Sequence, residues 1–299
     1  MDTVTTDLEQ LQLVSLAWGD LDDHDRPLAV LLHGFPDTAH TWRHLGPTMA
    51  EHGYRVVAPF TRGYAPSGLP ADRSYHVPAL MSDVLGLHAA LGGDERAVLV
   101  GHDWGAITAN GLAAHAGSPF ARVVALAVPP LAAMNPDRAD VLGWARILPR
   151  QAALSWYTVF NQLPVLPERT FDRLVAHLWR RWSPGYDASE DLAHLAESMP
   201  DDEHRSAAIG YYRAQPRQWR LPDRYRDLAS DWVKAPRVPL LYLHGADDGC
   251  LDPRWADRVA PRLPVGSEVS LVTGAGHFLQ LEQPHVVAEA VLDFLGTPA

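Results

Sequence analysis

The chain has 299 residues, of which 47% are hydrophobic and 20% charged, the balance of an ordinary globular protein. Its formal net charge of −11 argues against nucleic acid or an anionic membrane as the main partner. A single cysteine, Cys250, excludes an internal disulfide framework and favours a reducing compartment. The first ten residues lack the pattern of a signal peptide, and no apolar run is long enough to cross a bilayer. We therefore expect a cytoplasmic protein without a membrane span.

Strand-like and helix-like segments alternate along the first part of the chain. Short runs rich in valine and leucine predict strands at residues 11–17, 29–32, 55–59, 97–100 and 123–128. Helical patterns lie between or after them at residues 41–52, 77–91 and 106–116. Near the C-terminus the pattern resumes with strands at 240–243 and 268–272 and a helix at 286–294. This alternation predicts an α/β fold with a mostly parallel sheet flanked by helices.

The segment from about residue 129 to residue 236 differs from the rest of the chain. Helical patterns broken by prolines dominate it, and it holds six of the ten tryptophans. We interpret it as a helical lid inserted between two strands of the sheet. The predicted organisation is a first part of the core at 1–132, a lid at 133–236 and a second part of the core at 237–299.

Residues 101–105, Gly-His-Asp-Trp-Gly, carry an aspartate where a serine hydrolase has its serine. They follow a predicted strand and precede a helix, which is the context of a nucleophile elbow, and the glycines relieve crowding there. A serine alkylated at a saturated carbon would become an ether, which the site could not hydrolyse. A carboxylate alkylated at the same carbon becomes an ester, which water can cleave at the carboxyl carbon. Asp103 therefore indicates displacement at an sp³ carbon instead of acyl transfer.

Two further strand ends supply partners for Asp103. His277 lies in Gly-Ala-Gly-His-Phe (274–278), which follows a predicted strand and leaves the imidazole free to project over the strand ends. Asp247 and Asp248 end another strand, where an acid can orient an imidazole. The chain order nucleophile, acid, histidine is that of the α/β-hydrolase triad.

A third segment predicts the donors of an oxyanion hole. His-Gly-Phe-Pro at 33–36 follows the predicted strand 29–32, where this fold takes its second oxyanion-hole amide. We expect the backbone N–H groups of Phe35 and Trp104 to face the carboxyl oxygen that becomes negative during ester hydrolysis. His102, beside the nucleophile, points to the opposite side of the strand end and is expected to be a hydrogen-bonded packing residue.

Four motifs together resemble the α/β-hydrolase-fold epoxide hydrolases, over nearly the whole core and, more loosely, the lid. They are His-Gly-Phe-Pro-Asp at 33–37 with Trp42-Arg43, Arg-Gly-Tyr at 62–64, Gly-His-Asp-Trp-Gly at 101–105, and Gly276-His277 with Glu-Gln-Pro at 282–284. In that family the acid stands three residues after the strand-end glycine, which here selects Asp248 over Asp247. The resemblance implies that an apolar epoxide becomes a vicinal diol through an ester on Asp103, hydrolysed by water that His277 and Asp248 activate.

The same resemblance implies two tyrosines in the lid that hold and protonate the epoxide oxygen. Residues 156–164 resemble the first lid motif of the family and put Tyr157 in the donor position, although Asn161 stands where the family usually has an aromatic residue. Residues 209–213 resemble the second motif, in which the tyrosine before arginine is the donor. Adjacent helical residues diverge by about 100°, so this motif selects Tyr212 over its neighbour.

The residues at these same positions also bear on the alternative functions. Haloalkane dehalogenases share the aspartate nucleophile but often have a halide-binding asparagine where this chain has Phe35. Fluoroacetate dehalogenases hold the substrate carboxylate with arginines at the positions of Trp104 and Ile107. An ordinary esterase is excluded by the missing serine. A non-catalytic, small-molecule-binding relative is the alternative from a different class, and the intact triad argues against it.

We expect a small-molecule substrate and water as the partners, without nucleic acid, and leave homodimer formation open. The mechanism implied by the resemblance needs no cofactor. The remaining histidines have no metal-ligand spacing and no His-Glu-x-x-His motif occurs, so no metal site is predicted.

Overall fold

The computed structural model describes residues 2–136 and 140–297. The strands in this part of the chain form one sheet. Its strands are β1 (Asp2–Asp7), β2 (Gln12–Trp18), β3 (Leu28–Leu32), β4 (Arg55–Pro59), β5 (Val98–His102), β6 (Arg122–Leu126), β7 (Leu240–Gly245) and β8 (Glu268–Val272). They lie side by side in the order β1-β2-β4-β3-β5-β6-β7-β8. The pairs β1–β2 and β2–β4 are antiparallel, and the other five are parallel. The predicted mostly parallel sheet is confirmed.

Helices cover this sheet and also fill the connection between β6 and β7. The helices are α1 (Leu45–Glu51), α2 (Val77–Ala90), α3 (Trp104–Ala114), α4 (Leu131–Met134), α5 (Val141–Leu154), α6 (Trp156–Phe160), α7 (Leu166–Arg169), α8 (Phe171–Trp182), α9 (Ser189–Ser198), α10 (Asp202–Ala214), α11 (Leu279–Glu282) and α12 (Pro284–Leu295). Helix α3 packs on β5 and β6, α1 on β4, and α12 on β7 and β8. None of the helices in the described residues is long and apolar enough to cross a membrane.

Strand β1 and the region of helix α1 differ from the sequence prediction. Strand β1 was not predicted, because it is a polar edge strand with mostly exposed side chains and no apolar alternation. The helix predicted over 41–52 is in fact a 3₁₀ helix at Ala39–Trp42 followed by α1. Pro47 has no amide hydrogen to donate one turn back, so it is tolerated only in the first turn of a new helix.

The parallel strands bring the predicted motifs to one edge of the sheet. Strands β3 to β7 are almost entirely buried, as expected for parallel strands that are covered on both faces. Leu32 at the end of β3 pairs with Gly101 near the end of β5, so the segments that follow these strands are neighbours. Strand β6 separates β5 from β7, whose carboxyl end carries Asp247 and Asp248.

The segment between β6 and β7 packs over this edge of the sheet. Helix α8 carries buried apolar residues at helical spacing on one face, and Trp179 and Trp182 on that face are almost fully buried. The Trp179 indole N–H donates to the Pro36 carbonyl at 2.8 Å, and its ring stacks on Phe278 with centroids 3.4 Å apart. These contacts fix α8 directly above the loops that follow β3 and β8.

Candidate active site

Asp103 occupies the sharp turn between β5 and α3. Its backbone has φ 52° and ψ −115°, a strained conformation for a residue with a Cβ atom. Glycines are required on both sides, because a Cβ atom on Gly101 would collide with the Gly105 carbonyl and one on Gly105 with the Leu32 carbonyl. The turn therefore presents the Asp103 side chain at the carboxyl edge of the sheet, where it is 4% exposed.

The loop after β3 brings a backbone donor to the Asp103 carboxylate. The Phe35 amide donates to Asp103 Oδ1 at 2.7 Å. A Cβ atom on Gly34 would collide with the Asp103 side chain and would lie 2.7 Å from the Trp104 backbone nitrogen. The Phe35 amide predicted for an oxyanion hole thus contacts the carboxylate, the Trp104 nitrogen lies close to Gly34, and only glycine at position 34 leaves room for this approach.

His277 lies between two carboxylates. Its Nδ1 atom is 3.0 Å from Asp248 Oδ2, and its Nε2 atom is 3.6 Å from Asp103 Oδ2. The imidazole is fully buried, and among the described residues Nε2 has no hydrogen-bond partner. The spacing leaves Nε2 within reach of a water molecule that contacts the carboxyl group of Asp103.

The two candidate acids lie in different environments. Asp248 is 1% exposed and contacts His277, whereas the Asp247 side chain is exposed. Asp248 Oδ1 accepts hydrogen bonds from the backbone amides of Cys250 at 2.6 Å and Leu251 at 3.0 Å. The acid is therefore held by its own loop in the orientation that faces the imidazole.

The charges of these three groups are coupled. Burial alone would lower the pKa of His277, but attraction to Asp248 and contact with Asp103 raise it to about 10. Burial would raise the pKa of Asp248, yet attraction and a hydrogen bond from His277 hold that pKa below its usual value. At neutral pH the free protein therefore holds an imidazolium between the two aspartates.

Both predicted lid tyrosines are buried near Asp103. The rings of Tyr157 in α6 and Tyr212 in α10 lie 5.6 Å apart, and the Tyr212 ring is 5.1 Å from those of Phe35 and Trp104. Burial raises the pKa of both phenols well above their usual value, and the Asp103 charge adds to this, so both keep their protons. Tyr211 points elsewhere, because its hydroxyl donates to the Arg62 carbonyl at 2.9 Å.

A cavity of about 460 Å³ adjoins these groups. Asp103, Tyr157 and Tyr212 all contribute to its wall. Its other lining residues are Trp104, Ile107, Val128, Leu131, Met134, Gln151, Ser155, Thr158, Val159, Gln162, Gln215, Pro216 and Leu251. The lining that the structure describes includes no arginine or lysine, so it offers no cation to hold a substrate carboxylate.

Three contributors to the site were not identified from the sequence. The Trp182 ring lies 4.9 Å from the rings of both Tyr157 and His277. The Cys250 thiol approaches the Tyr157 hydroxyl at 3.4 Å. Glu282, quoted above only as part of a motif, accepts a hydrogen bond from the Gly276 amide at 2.8 Å. The positions of these residues relative to the motifs could have identified them. The thiol, for example, lies two residues after Asp248.

Two predictions can be compared with the structure in this region, one about the role of His102 and one about metal sites. His102 is fully buried, and its Nε2 atom lies 2.9 Å from the His277 carbonyl oxygen, as expected for a hydrogen-bonded packing residue. Within the described ranges, one cluster of metal-ligating side chains occurs, namely Asp248, Cys250 and His277, with ligand atoms within 4.8 Å. The hydrogen bond from His277 to Asp248 already engages two of these three groups.

Comparisons with known proteins agree with this architecture. Residues 27–284 match the sequence profile of the α/β hydrolase fold family. The chain is 45% identical to an epoxide hydrolase of Caballeronia sordidicola, covering 91% of this chain and 88% of that protein. It is 34% identical to epoxide hydrolase A of Mycobacterium tuberculosis, covering 90% of each chain.

A solved structure is similar over the same extent. The crystal structure of epoxide hydrolase A from Mycobacterium thermoresistibile aligns with a TM-score of 0.74 and 27% identity, covering 98% of each chain. The family match at residues 27–284 includes the Asp103, Asp248 and His277 segments, and the two curated relatives each cover at least 90% of the chain. The chain belongs to the α/β hydrolase fold family, and within it to the epoxide hydrolases.

Proposed function

We propose that this protein is an epoxide hydrolase that converts an apolar epoxide into a vicinal diol through a covalent ester on Asp103. The observation that carries the proposal is the position of a carboxylate in the nucleophile turn, facing a cavity that two buried phenols also line. The names of the relatives at 34% and 45% identity support the same reaction. The residue roles below follow from the geometry and the chemistry of an epoxide.

In the first step Asp103 attacks an epoxide carbon from the side opposite the ring oxygen. An alkoxide is a poor leaving group, so the oxygen needs a proton as its bond to carbon breaks. Tyr157 and Tyr212 are protonated donors at the cavity wall and supply it, help that contributes about 10²–10⁴-fold in comparable reactions. The products are an alkyl ester on Asp103 and a phenolate on one tyrosine.

Ester formation also prepares the base for the second step. It removes the negative charge of Asp103, one of the two charges that raise the pKa of His277. The imidazolium then becomes a stronger acid, and net transfer of its proton to the phenolate restores the phenol. His277 is left neutral, with Nδ1 toward Asp248 and Nε2 free to accept a proton from water.

In the second step that water attacks the carboxyl carbon of Asp103. The Phe35 amide already donates to Asp103 Oδ1, and together with the Trp104 amide it stabilises the oxyanion that forms. As this intermediate collapses, His277 gives its proton to the departing alkoxide and takes one from the new carboxyl group of Asp103, so the diol leaves, His277 is again protonated and Asp103 regains its charge. The cycle returns every group to its starting protonation state without a cofactor.

A single turnover in heavy-oxygen water tests the covalent route. We expect the label to enter the Asp103 side chain first, because one product oxygen comes from that carboxylate and the other from the epoxide. Label in the first diol molecules, with the protein unlabelled, would mean direct attack by water and would overturn the proposal.

A paired assay separates this function from its alternatives. Styrene oxide and a bromoalkane are offered side by side, and diol and halide are both quantified. Diol without halide is the expected result, because the cavity offers phenols above the nucleophile and has Phe35 where a halide-binding asparagine would stand. Halide release that persists after both tyrosines are changed to phenylalanine would favour a haloalkane dehalogenase, and neither product would favour a binding protein.

The lining of the cavity supports an apolar substrate, since aliphatic and aromatic side chains make up most of it.

The lid boundaries at residues 133 and 236, a cytoplasmic location and formation of a homodimer stay predictions from the sequence.

A further inference from the structure

The two tyrosines differ in what surrounds their hydroxyl groups. The Tyr212 hydroxyl is buried, and the Trp104 side chain beside it lies outside hydrogen-bonding geometry but acts to lower the pKa of the phenol. The Tyr157 hydroxyl lies 3.4 Å from the Sγ atom of Cys250, a distance at which a thiol and a hydroxyl form a hydrogen bond. One proposed proton donor therefore has a thiol partner, and the other faces the Trp104 side chain.

The Cys250 thiol is fixed by contacts on both sides. Its backbone amide donates to Asp248 Oδ1 at 2.6 Å, and its carbonyl accepts from the Gln151 side chain at 3.2 Å. The residue is fully buried, and Gln151 belongs to α5, on the lid side of the cavity. The thiol is thus placed by both the acid loop and the lid, and its approach to Tyr157 is part of the packed interior.

The thiol keeps its proton in this environment. Burial raises the pKa of Cys250 well above its usual value, and the charges of Asp248 and Asp103 raise it further. A protonated thiol is a poor nucleophile but still a weak hydrogen-bond donor. When the Tyr157 hydroxyl directs its own proton toward a substrate, the S–H group is the member of the pair that donates to the phenol oxygen.

We propose that Cys250 is a positioning residue for Tyr157, donating its S–H group to the phenol oxygen so that the phenol proton points into the cavity. This inference rests on the proposed function. During ring opening the bond from Asp103 to carbon forms, the bond from carbon to oxygen breaks, and the Tyr157 proton passes to the departing oxygen. The S–H group then stays hydrogen-bonded to the phenolate until His277 returns a proton to it.

Single-turnover measurements on two variants test this role. Cys250→Ala removes the donor and Cys250→Ser replaces it with a hydroxyl. We expect Ala to slow ester formation by about three- to tenfold, the effect of one net hydrogen bond, and Ser to restore most of the rate. Hydrolysis of the ester, which does not use the phenol proton, should keep its rate in both variants. Should the alanine variant fail to fold, Cys250→Val serves as the apolar variant of similar size.

A double-mutant cycle distinguishes positioning from packing. In a Tyr157→Phe background, Cys250→Ala should have no further effect on ester formation, because no phenol oxygen remains to receive the S–H group. In a Tyr212→Phe background the full effect should remain. Equal effects in both backgrounds, or no rescue by serine, would overturn the inference.

The outcome also separates this inference from the proposed function. If the unaltered protein forms no diol from any epoxide, the proposed function has failed. If it forms diol and Cys250→Ala leaves ester formation unchanged, only the role of the thiol is wrong.

Discussion

Replacing His277 by glutamine should separate the two proposed steps, because the imidazole acts as a base only after the ester has formed. Its Nε2 atom lies 3.6 Å from Asp103 Oδ2 with no hydrogen-bond partner in the described residues, so one water molecule can contact both groups. Glutamine fills a similar volume but accepts no proton at neutral pH. Loss of a general base costs about 10²–10⁴-fold in rate, or about 3–5 kcal/mol of barrier at 1.36 kcal/mol per factor of ten.

Slower hydrolysis predicts accumulation of the alkyl-enzyme. If hydrolysis slows by about a hundredfold or more while ester formation continues, nearly all of the protein becomes ester within one turnover. The assay is intact-protein mass after an acid quench, where we expect one added epoxide mass per chain. Mildly alkaline buffer is preferable, because glutamine also removes the cation between Asp103 and Asp248, and their repulsion then favours protonation of one carboxyl.

Peptide mapping and a double variant provide the controls for this experiment. The added mass should lie on the peptide that contains Asp103, and His277→Gln combined with Asp103→Asn should gain none. Sustained multiple turnover in the glutamine variant would exclude His277 as the base, and an adduct on another peptide would exclude Asp103 as the nucleophile.

Three further changes probe the other groups. Tyr157→Phe together with Tyr212→Phe should slow ester formation by about 10²–10⁴-fold and should slow hydrolysis of a preformed ester much less in rapid-quench assays; equal slowing of both steps would contradict the assigned role. Asp248→Asn removes the strongest attraction on the triad imidazole, so its pKa should fall from about 10 and the imidazolium should lose its proton at lower pH in an NMR titration. An unchanged titration would exclude that coupling. Gly249→Ala would drive a Cβ atom into the Arg181 carbonyl and should destabilise the fold by about 1–3 kcal/mol in urea unfolding. Gly68→Ala, with neighbouring atoms at 3.7–4.0 Å, should be tolerated, and equal losses in the two variants would count against the clash.

The core strands could be predicted because each one is buried on both faces and therefore appears in the sequence as a short run of apolar residues. The nucleophile turn could be predicted for a related reason, since the glycines around Asp103 are required by its backbone and are visible in the sequence. Strand β1 could not, because it lies at an edge and buries few side chains. Strand β1 pairs with β2 in an antiparallel register, and no pattern within its six residues specifies that register.

The local sequence pattern does not distinguish Asp247 from Asp248 as the partner of His277. Both residues follow the same strand, and the sequence alone left the choice open until a family resemblance selected Asp248. In the structure the Asp247 amide donates to the Ala275 carbonyl at 2.9 Å and its side chain is exposed, while Asp248 turns inward to His277. That difference depends on how two loops from β7 and β8 pack together, which neither loop specifies by itself.

The helical segment between β6 and β7 is physically continuous with the loops that carry His277 and Asp248. The Trp182 carbonyl at the end of α8 accepts hydrogen bonds from the amides of His277 at 2.9 Å and Gly249 at 3.2 Å. A Cβ atom on Gly276 would collide with that same carbonyl, so the histidine loop is shaped to receive it. Trp182 thus joins the loop of His277 to the loop of Asp248, and its ring also contacts Tyr157. Because His277, the proposed base, takes part of its position from Trp182, a variant without the predicted lid should lose ester hydrolysis as well as substrate binding.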